Sequence, residues 1–212
     1  IILADEINRT PPKTQAALLE AMQEFEVTYS GNTYELDKPF FILATQNPIE
    51  QSGTFPLPEA QLDRFLLYIK IGYPTASNET QILKATTSSS SVKPQKVISG
   101  EEIIRLQQLV REVPISDDLI TFVSNVVRAT RPENKNEFVN KWVSWGAGPR
   151  AGQAMILTAK ARALTQGRLA VTLDDIKHVA YPVLRHRIIV NFRAEAEGIT
   201  SDEVTKQLLS SI

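Results

Sequence analysis

The chain has 212 residues, of which 42% are hydrophobic and 22% charged, the proportions of a globular protein with one large domain or two small ones. Its net charge of -1 gives no overall basic field for nucleic acid, and the absence of cysteine excludes disulfides, a thiolate nucleophile and cysteine metal sites. No apolar run is long enough to span a membrane and no secretory signal opens the chain, which predicts a cytoplasmic protein.

The first eight residues predict a buried parallel strand that ends in two adjacent carboxylates, Asp5 and Glu6. Parallel strands carry their first polar residues to the carboxyl edge of the sheet, where open α/β folds place their sites. Adjacent strand residues point to opposite sides, so one carboxylate could hold Mg²⁺ while the other activates a water. Two solvated acids at a strand end are the alternative interpretation.

A helix is predicted to follow, with Thr10 as its cap and a proline in its first turn. Leu18, Met22 and Phe25 recur at helical spacing and are expected to form its buried face.

Alternating residues on both sides of a turn at 30–33 then predict a β-hairpin, and residues 40–44 predict a second apolar strand. Asn47 comes soon after that strand, so its amide could reach the same sheet edge and orient a water or a phosphate. An ordinary Asn-Pro turn is the alternative.

Residues 59–65 predict a short helix, and residues 66–71 a third strand. Arg64 is expected to face outward near the helix end, where a guanidinium suits a phosphate of a neighbouring subunit. Pairing with Asp63 or Glu59, or with the negative end of the helix dipole, is the alternative.

A boundary is predicted near residue 74, because strand patterns nearly vanish after it and helical patterns take over. Three helix starts carry capping boxes. They are Ser99 with Glu102, Thr172 with Asp175, and Thr200 with Glu203. Pro149 should open another helix, and Arg150 beside it would oppose the helix dipole unless an anion lies near. His178 and His186 are expected in the core or an interface, since two histidines make a poor metal site.

In their order and spacing, these features resemble the MoxR family of AAA+ ATPases over nearly the whole chain. The similar segments are the family's Walker B motif (3–8), the helix after it (17–24), sensor 1 (44–48), the arginine-finger helix (57–65), sensor 2 (148–150) and a late lid motif (183–188). The hairpin resembles the pre-sensor insertion of this branch.

The resemblance implies an α/β fold, with the C-terminal half of a AAA+ P-loop NTPase core over 1–74 and an all-α lid domain over 75–212. The core would hold a parallel sheet with a β-hairpin insertion. ATP and Mg²⁺ are implied as ligands, and a hexameric homo-oligomer as the assembly. The implied activity is ATP hydrolysis with a chaperone-like role in the maturation of partner proteins or in metal insertion. Proteins with von Willebrand A-type domains are the implied partners.

The resemblance also implies a role for each candidate residue. Asp5 would hold Mg²⁺, and Glu6 would be the general base. Asn47 would position the attacking water or contact the γ-phosphate. Arg64 would reach the nucleotide of the adjacent subunit, and Arg150 would sense the γ-phosphate.

One motif of such enzymes does not occur in the 212 residues: the phosphate-binding loop G-x-x-x-x-G-K-[ST]. In the family it lies before the Walker B strand, so it is expected to precede Ile1. The 212 residues alone are then expected neither to bind ATP well nor to hydrolyse it.

Two other functions stay open from sequence alone. A nucleic-acid remodelling motor is one, although the hairpin turn at 30–33 has no Lys or Arg to follow a phosphate backbone. A non-catalytic interaction module is the other, against which the intact candidate residues argue.

Overall fold

The computed structural model describes residues 1–47, 53–88, 94–133 and 136–211, and shows an α/β part followed by a mainly helical part. The strands within these residues are β1 (Ile2–Ala4), β2 (Glu26–Tyr29), β3 (Asn32–Glu35), β4 (Ile42–Ala44), β5 (Val143–Trp145) and β6 (Ile189–Val190). The helices are α1 (Pro12–Glu24), α2 (Glu59–Leu62), α3 (Ala76–Thr86), α4 (Gly100–Glu112), α5 (Asp117–Ala129), α6 (Glu137–Trp142), α7 (Pro149–Thr165), α8 (Leu173–Leu184), α9 (Phe192–Ala196) and α10 (Ser201–Ser211). None of the described helices combines the length and apolar character that crossing a membrane requires.

The predicted parallel sheet is confirmed by β1 and β4, which pair in parallel over three residues. Burial differs from the expectation, because Leu3 is 64% exposed and Leu43 is 50% exposed. A two-stranded sheet cannot cover its own faces, whereas parallel sheets are normally covered on both. The apolar side chains of the pair therefore form the surface on which a covering layer would pack.

The hairpin of β2 and β3 is also confirmed, with Tyr29 opposite Asn32 at its closed end. Ser30 and Gly31 both have positive φ, of 51° and 79°, which is the twist that two-residue hairpin turns require. Tyr29 is 72% exposed, so an aromatic side chain stands beside the turn.

The start of α1 differs from the prediction. Thr10 does not cap the helix: its hydroxyl donates to the carbonyl oxygen of Ile7 at 2.7 Å, and Pro11 occupies the capping position. The inward face is also shifted by one position, since Leu19 is buried, Leu18 is only partly buried and Phe25 is exposed. The hydroxyl is already used by the preceding turn, so it is lost to the helix.

The third strand predicted over 66–71 is wrong. This segment has no regular secondary structure and pairs with no strand among the described residues. Its backbone bonds to the end of α8 instead: the N–H of Tyr68 donates to the carbonyl oxygen of Pro182 at 2.8 Å. Pro182 has no N–H of its own, but its carbonyl remains available. A neighbouring helix thus satisfies backbone groups that a sheet was expected to satisfy.

The helical part has one hydrophobic core, in which α7 packs against α8, α5 and α4. The inward face of α7 consists of small residues and Met155, which lets the neighbouring helices approach closely. Leu67 packs at the edge of this core, whereas Phe65 packs against a smaller cluster around Ile7 and Leu19. The chain therefore passes from one core to the other at residue 66, and the boundary near residue 74 stays a prediction.

All three capping boxes are present, with both reciprocal hydrogen bonds at each helix start. The box at α8 is part of a larger network around Asp175, which is fully buried. Arg168 and Arg162 both donate to its carboxylate, and the hydrogen bonds from Arg168 hold the pKa of Asp175 well below its usual range. A buried carboxylate needs this compensation, because leaving one unpaired is costly.

The lid is not entirely helical. Strands β5 and β6 form an antiparallel pair, and the hydroxyl of Ser144 donates to the carbonyl oxygen of Ile189 at 3.0 Å. The prediction of an all-α lid needs this correction. The strands are only three and two residues long, too short for an alternating pattern to appear in the sequence.

Candidate functional site

The carboxyl ends of β1 and β4 form the sheet edge at which the sequence predicts the acidic pair. Ala4 lies opposite Ala44, so the residues after each strand leave the sheet side by side. The N–H of Thr45 donates to the carbonyl oxygen of Ala4 at 3.0 Å, and the N–H of Ile7 donates to the carbonyl oxygen of Thr45 at 2.9 Å. These hydrogen bonds fix the two strand ends against each other.

Thr45 contacts both acidic residues, although sequence reasoning did not single it out. Its hydroxyl donates to Oδ1 of Asp5 at 2.5 Å and accepts from the N–H of Glu6 at 2.8 Å. A single side chain thus orients a carboxylate and the backbone beside it. Its position in the sequence could have identified it, because Thr45 directly follows β4 as Asp5 directly follows β1, and the ends of paired parallel strands lie side by side.

Glu6 has a left-handed backbone, with φ of 48° and ψ of 52°. Such a conformation costs a residue with a Cβ about 1–2 kcal/mol. Residues with strained backbones of this kind cluster at active sites and ligand-binding positions. The sequence prediction that Asp5 and Glu6 lie on opposite sides of a strand is wrong, because β1 ends at Ala4 and both acids lie in a turn. Oε2 of Glu6 forms an exposed ion pair with Arg9 at 2.9 Å.

Asn47 lies at the same edge, two residues beyond Thr45, and is partly buried. Its carbonyl oxygen is 3.5 Å from Nδ2 of Asn8, a long and weak hydrogen bond. Oδ1 of Asn8 is buried and has no hydrogen-bond partner among the described residues, so this edge contains an unsatisfied acceptor that sequence reasoning missed. Pro48, the last residue of the sensor 1 segment, lies outside the described residues.

The chemistry of this edge fits Mg²⁺ bound together with a nucleotide. Asp5 is exposed and uses Oδ1 toward Thr45, which leaves its second oxygen for a ligand. No group of three or more His, Asp or Glu side chains that could hold a metal occurs in the described ranges. Magnesium at phosphate sites needs no such group, because one or two carboxylates suffice when phosphates and waters complete the shell.

Arg64 follows α2, which ends at Leu62 rather than at residue 65 as predicted. Leu62 and Phe65 pack against the smaller core, and this orients the turn between them outward. The partly exposed guanidinium of Arg64 has no hydrogen bond or ion pair within the part of the chain that the structure describes. The predicted alternative, a pair with Asp63 or Glu59, therefore does not form.

Arg150 occupies the first turn of α7, as predicted, after Gly148 at the capping position and Pro149 at the first position. Its Nη1 lies 3.9 Å from Oδ2 of Asp63, and both side chains are partly exposed. An anion therefore does lie near this guanidinium and offsets its unfavourable position in the helix dipole. At this length and exposure the pair is weak, so a phosphate could replace Asp63.

The loop that leads to Arg150 packs closely against the end of α5. A Cβ on Gly146 would lie 2.5 Å from the carbonyl oxygen of Thr130, closer than real Cβ contacts. The N–H of Ala147 donates to the hydroxyl of Thr130 at 2.8 Å. The start of α7 is thus fixed against the end of α5, and only a glycine fits there.

The five predicted site residues fall into two groups. Asp5, Glu6 and Asn47 gather at the sheet edge, whereas Arg64 follows Asp63 in the chain and Arg150 lies near the carboxylate of Asp63. Among the described residues, no hydrogen bond or ion pair joins the two groups directly.

A cavity of about 550 Å³ lies between α2 and the lid, next to the second group. Asp63, Gly148, His186 and Arg187 line it, together with Trp145, which is 70% exposed. Such a volume accommodates a small-molecule group or a protruding side chain. Trp142, by contrast, is buried.

His186 is packed against the segment that carries Arg64. Its Nε2 is 3.0 Å from the carbonyl oxygen of Phe65, so Nε2 carries the proton and Nδ1 is left buried without a partner. Burial, reinforced by the charge of Arg187, lowers the pKa of His186 to about 4. Protonation would place a second positive charge beside a buried guanidinium, so His186 is neutral near neutral pH.

We expect the stability of the protein to fall as the pH decreases from 6.5 toward 4, because the unfolded chain then takes up a proton that folded His186 refuses. The expected loss between pH 7 and pH 5 is about 2 kcal/mol. Chemical denaturation at both pH values measures it, and His186→Gln should remove that part of the difference. His178 is exposed, so His178→Gln is the matched control and should keep it. An equal pH dependence in both variants would contradict the assignment.

Comparisons with known proteins match both parts of the chain. The family model described as "ATPase family associated with various cellular activities (AAA)" matches residues 1–67, and the model "AAA lid domain" matches residues 137–208. The whole chain is 41% identical to the protein YeaC of Bacillus subtilis and 40% identical to the chaperone MoxR1 of Mycobacterium tuberculosis. A solved structure from Cytophaga hutchinsonii superimposes over the whole chain with a TM-score of 0.93 and 42% identity. The chain spans 64%, 56% and 65% of the lengths of these three proteins.

Proposed function

Because this chain belongs to the MoxR group of AAA+ ATPases, we propose that it takes part in Mg²⁺-dependent hydrolysis of ATP to ADP and phosphate. The observation that carries the proposal is the sheet edge at which Thr45 holds Asp5 and Glu6 together. Phosphoryl transfer needs mainly positioning and charge neutralisation, and this edge offers both kinds of group.

In this proposal Asp5 holds Mg²⁺, which neutralises negative charge on the phosphates when it is bound. Glu6 accepts a proton from a water molecule whose oxygen forms a bond to the γ-phosphorus. The bond between that phosphorus and the bridging oxygen breaks, and ADP leaves with the electron pair. The side-chain amide of Asn47 orients the water or contacts the γ-phosphate. The left-handed backbone of Glu6 directs its carboxylate, which must separate from Arg9 to act as a base.

Two arginines, Arg64 and Arg150, complete the proposed site. We assign Arg64 to the nucleotide of an adjacent subunit, because its guanidinium is partly exposed and has no partner within the described residues. Arg150 would exchange Asp63 for the γ-phosphate and so report the nucleotide state to the lid. This arrangement calls for a ring of identical subunits, which we propose to be hexameric.

The name of the relative MoxR1 supports chaperone-like work on other proteins, which we extend to this chain. The maturation of partner proteins, metal insertion, and von Willebrand A-type domains as partners belong to the same proposal. The nucleic-acid alternative gains no support from the hairpin, whose turn carries Tyr29 beside it and no basic residue over 30–33.

Asp5→Asn tests the proposed site in the full-length protein. We expect Mg²⁺-dependent ATP hydrolysis to fall by about 10²-fold or more, because a neutral amide no longer attracts the cation that neutralises the phosphates. A phosphate-release assay with a Mg²⁺ titration measures the loss. Asp37→Asn, at an exposed position two residues after β3, is the control and should keep normal turnover. Unchanged hydrolysis in Asp5→Asn would remove Asp5 from the site.

A further inference from the structure

Arg187, on the lid, holds the backbone on both sides of Arg64. Its Nε donates to Oδ1 of Asp63 at 2.7 Å, and its Nη2 donates to the carbonyl oxygens of Asp63 at 3.0 Å and Phe65 at 2.7 Å. Its Nη1 donates to the carbonyl oxygen of Val183, which lies in the last turn of α8, at 2.6 Å. One planar guanidinium therefore joins the end of α8 to the residues immediately before and after Arg64.

This contact is buried and fully used. The side chain of Arg187 is only 2% exposed, and each of its three guanidinium nitrogens donates a hydrogen bond. The fixed fork of an arginine suits several acceptors in one plane, whereas a lysine offers a single charge on a flexible chain. The sequence gives no sign of the contact, since Arg187 and Asp63 are 124 positions apart.

Arg64 depends on this support because its own guanidinium has no partner within the described residues. Its direction is set by the backbone of the turn alone, and Arg187 fixes that turn. The carboxylate of Asp63 also faces Arg150, through its other oxygen, at 3.9 Å. The position of the lid and the position of Arg64 are thus connected through one aspartate and one buried arginine.

We infer that Arg187 is a positioning residue for hydrolysis in the adjacent subunit, and that it acts by holding Arg64 in place through Asp63 and the neighbouring carbonyl groups. The inference rests on the proposed function, which assigns Arg64 to a neighbour's nucleotide. Arg187 does not touch that nucleotide. Its effect passes through the turn at 63–65, so the neighbour's hydrolysis depends on where this subunit's lid lies.

Arg187→Gln in the full-length protein tests the inference. We expect the KM for ATP to stay unchanged and kcat to fall on the order of 10²-fold, because small displacements of a catalytic group carry losses of this size. If Arg187 had only a structural role, Arg187→Gln would lower thermal stability without a selective loss of kcat at unchanged KM. Arg187→Lys keeps a positive charge for the ion pair with Asp63, so it should fold even if Arg187→Gln is unstable. It should lose part of kcat, because a lysine cannot make all the hydrogen bonds of the arginine.

Arg185→Gln is the matched control. Arg185 also reaches from the lid to this segment, but it donates to the carbonyl oxygen of Tyr68, four residues beyond Arg64, at 2.6 Å. This variant should lose stability and keep kcat. The double variant Arg64→Ala with Arg187→Gln should turn over no more slowly than Arg64→Ala alone, because Arg187 acts only through Arg64.

Rings mixed from Arg187→Gln and Glu6→Gln subunits provide a further test, because a misfolded variant could not restore hydrolysis. Subunits with Arg187→Gln keep Glu6, and subunits with Glu6→Gln keep a correctly held Arg64. Where the second kind presents Arg64 to the first, hydrolysis should recover above the level of either variant alone. Two results overturn this inference alone. One is recovery in mixed rings of Arg64→Ala with Glu6→Gln but not in those of Arg187→Gln with Glu6→Gln. The other is normal kcat in folded Arg187→Gln and Arg187→Lys while Arg64→Ala is inactive. Normal turnover in Arg64→Ala overturns it together with the proposed role of Arg64.

Discussion

Replacing Glu6 by Gln in the full-length protein is expected to leave ATP bound while turnover falls by about 10²–10⁴-fold, the usual contribution of a general base. Gln has nearly the shape of Glu, and the N–H of residue 6 can still donate to the hydroxyl of Thr45. The amide cannot accept a proton from the attacking water. Single-turnover hydrolysis and equilibrium binding of ATP separate the two effects.

Glu20→Gln is the control for this experiment, since Glu20 is an exposed glutamate on α1. It makes the same change of charge away from the sheet edge and should turn over normally. If Glu6→Gln weakened ATP binding as strongly as it slowed hydrolysis, Glu6 would be a binding residue. If it hydrolysed ATP at the normal rate, the base would have to be sought elsewhere at this edge.

The structure adds a condition to the proposed role of Glu6. Its left-handed backbone and the hydrogen bond from its N–H to Thr45 hold the residue in place, while Arg9 pairs with its carboxylate. Such exposed pairs are typically worth about 1 kcal/mol or less, so a bound nucleotide and water can displace Arg9 at little cost. The backbone is therefore prearranged, and only the side chain has to move.

The features that sequence predicted correctly share a local cause. The hairpin turn and the capping boxes follow from residues close together in the chain. The strands β1 and β4 also follow from short apolar runs, although their pairing joins Ile2 to Ile42. Hydrophobic spacing, positive-φ turn positions and hydroxyl caps are short-range signals. The start of α7 at Pro149 is of the same kind, because a proline fits the first turn without losing a hydrogen bond.

The features that sequence missed depend on distant residues. The segment 66–71 has the composition of a strand, but its hydrogen bonds go to Pro182 and Arg185, more than a hundred positions away. The left-handed turn at Glu6 likewise depends on Thr45 across the sheet. Local propensity cannot indicate such partners, since tertiary contacts override it.

The position of Asp63 shows the same limit at the candidate site. From sequence it was a possible partner for Arg64, its neighbour in the chain. In the structure its carboxylate instead bridges Arg187 and Arg150, both of them on the lid. Arg64 is left without a partner within the described residues, which is what a group that acts on another subunit requires.

Arg64→Ala should therefore have a large effect in the full-length protein, with kcat lowered by about 10³-fold or more, the range found for arginine fingers. Nucleotide affinity should change little, because a group supplied by the next subunit acts mainly on charge that develops during the transfer. Steady-state hydrolysis and fluorescent-nucleotide binding measure the two quantities. Arg105→Ala, at an exposed position of α4, is the control and should behave like the unchanged protein.

Titrating Arg64→Ala subunits into unchanged subunits then distinguishes action in the neighbour from action within one subunit. Each variant subunit keeps its own Asp5, Glu6 and Asn47, but it deprives the adjacent site of a guanidinium. If the subunits of a ring also hydrolyse ATP in a coordinated order, one defective interface stalls the others, and activity falls more steeply than the fraction of unchanged subunits. A loss strictly proportional to that fraction would argue against this coordination. A variant whose isolated subunits hydrolysed ATP as fast as assembled ones would argue against any role for Arg64 across an interface.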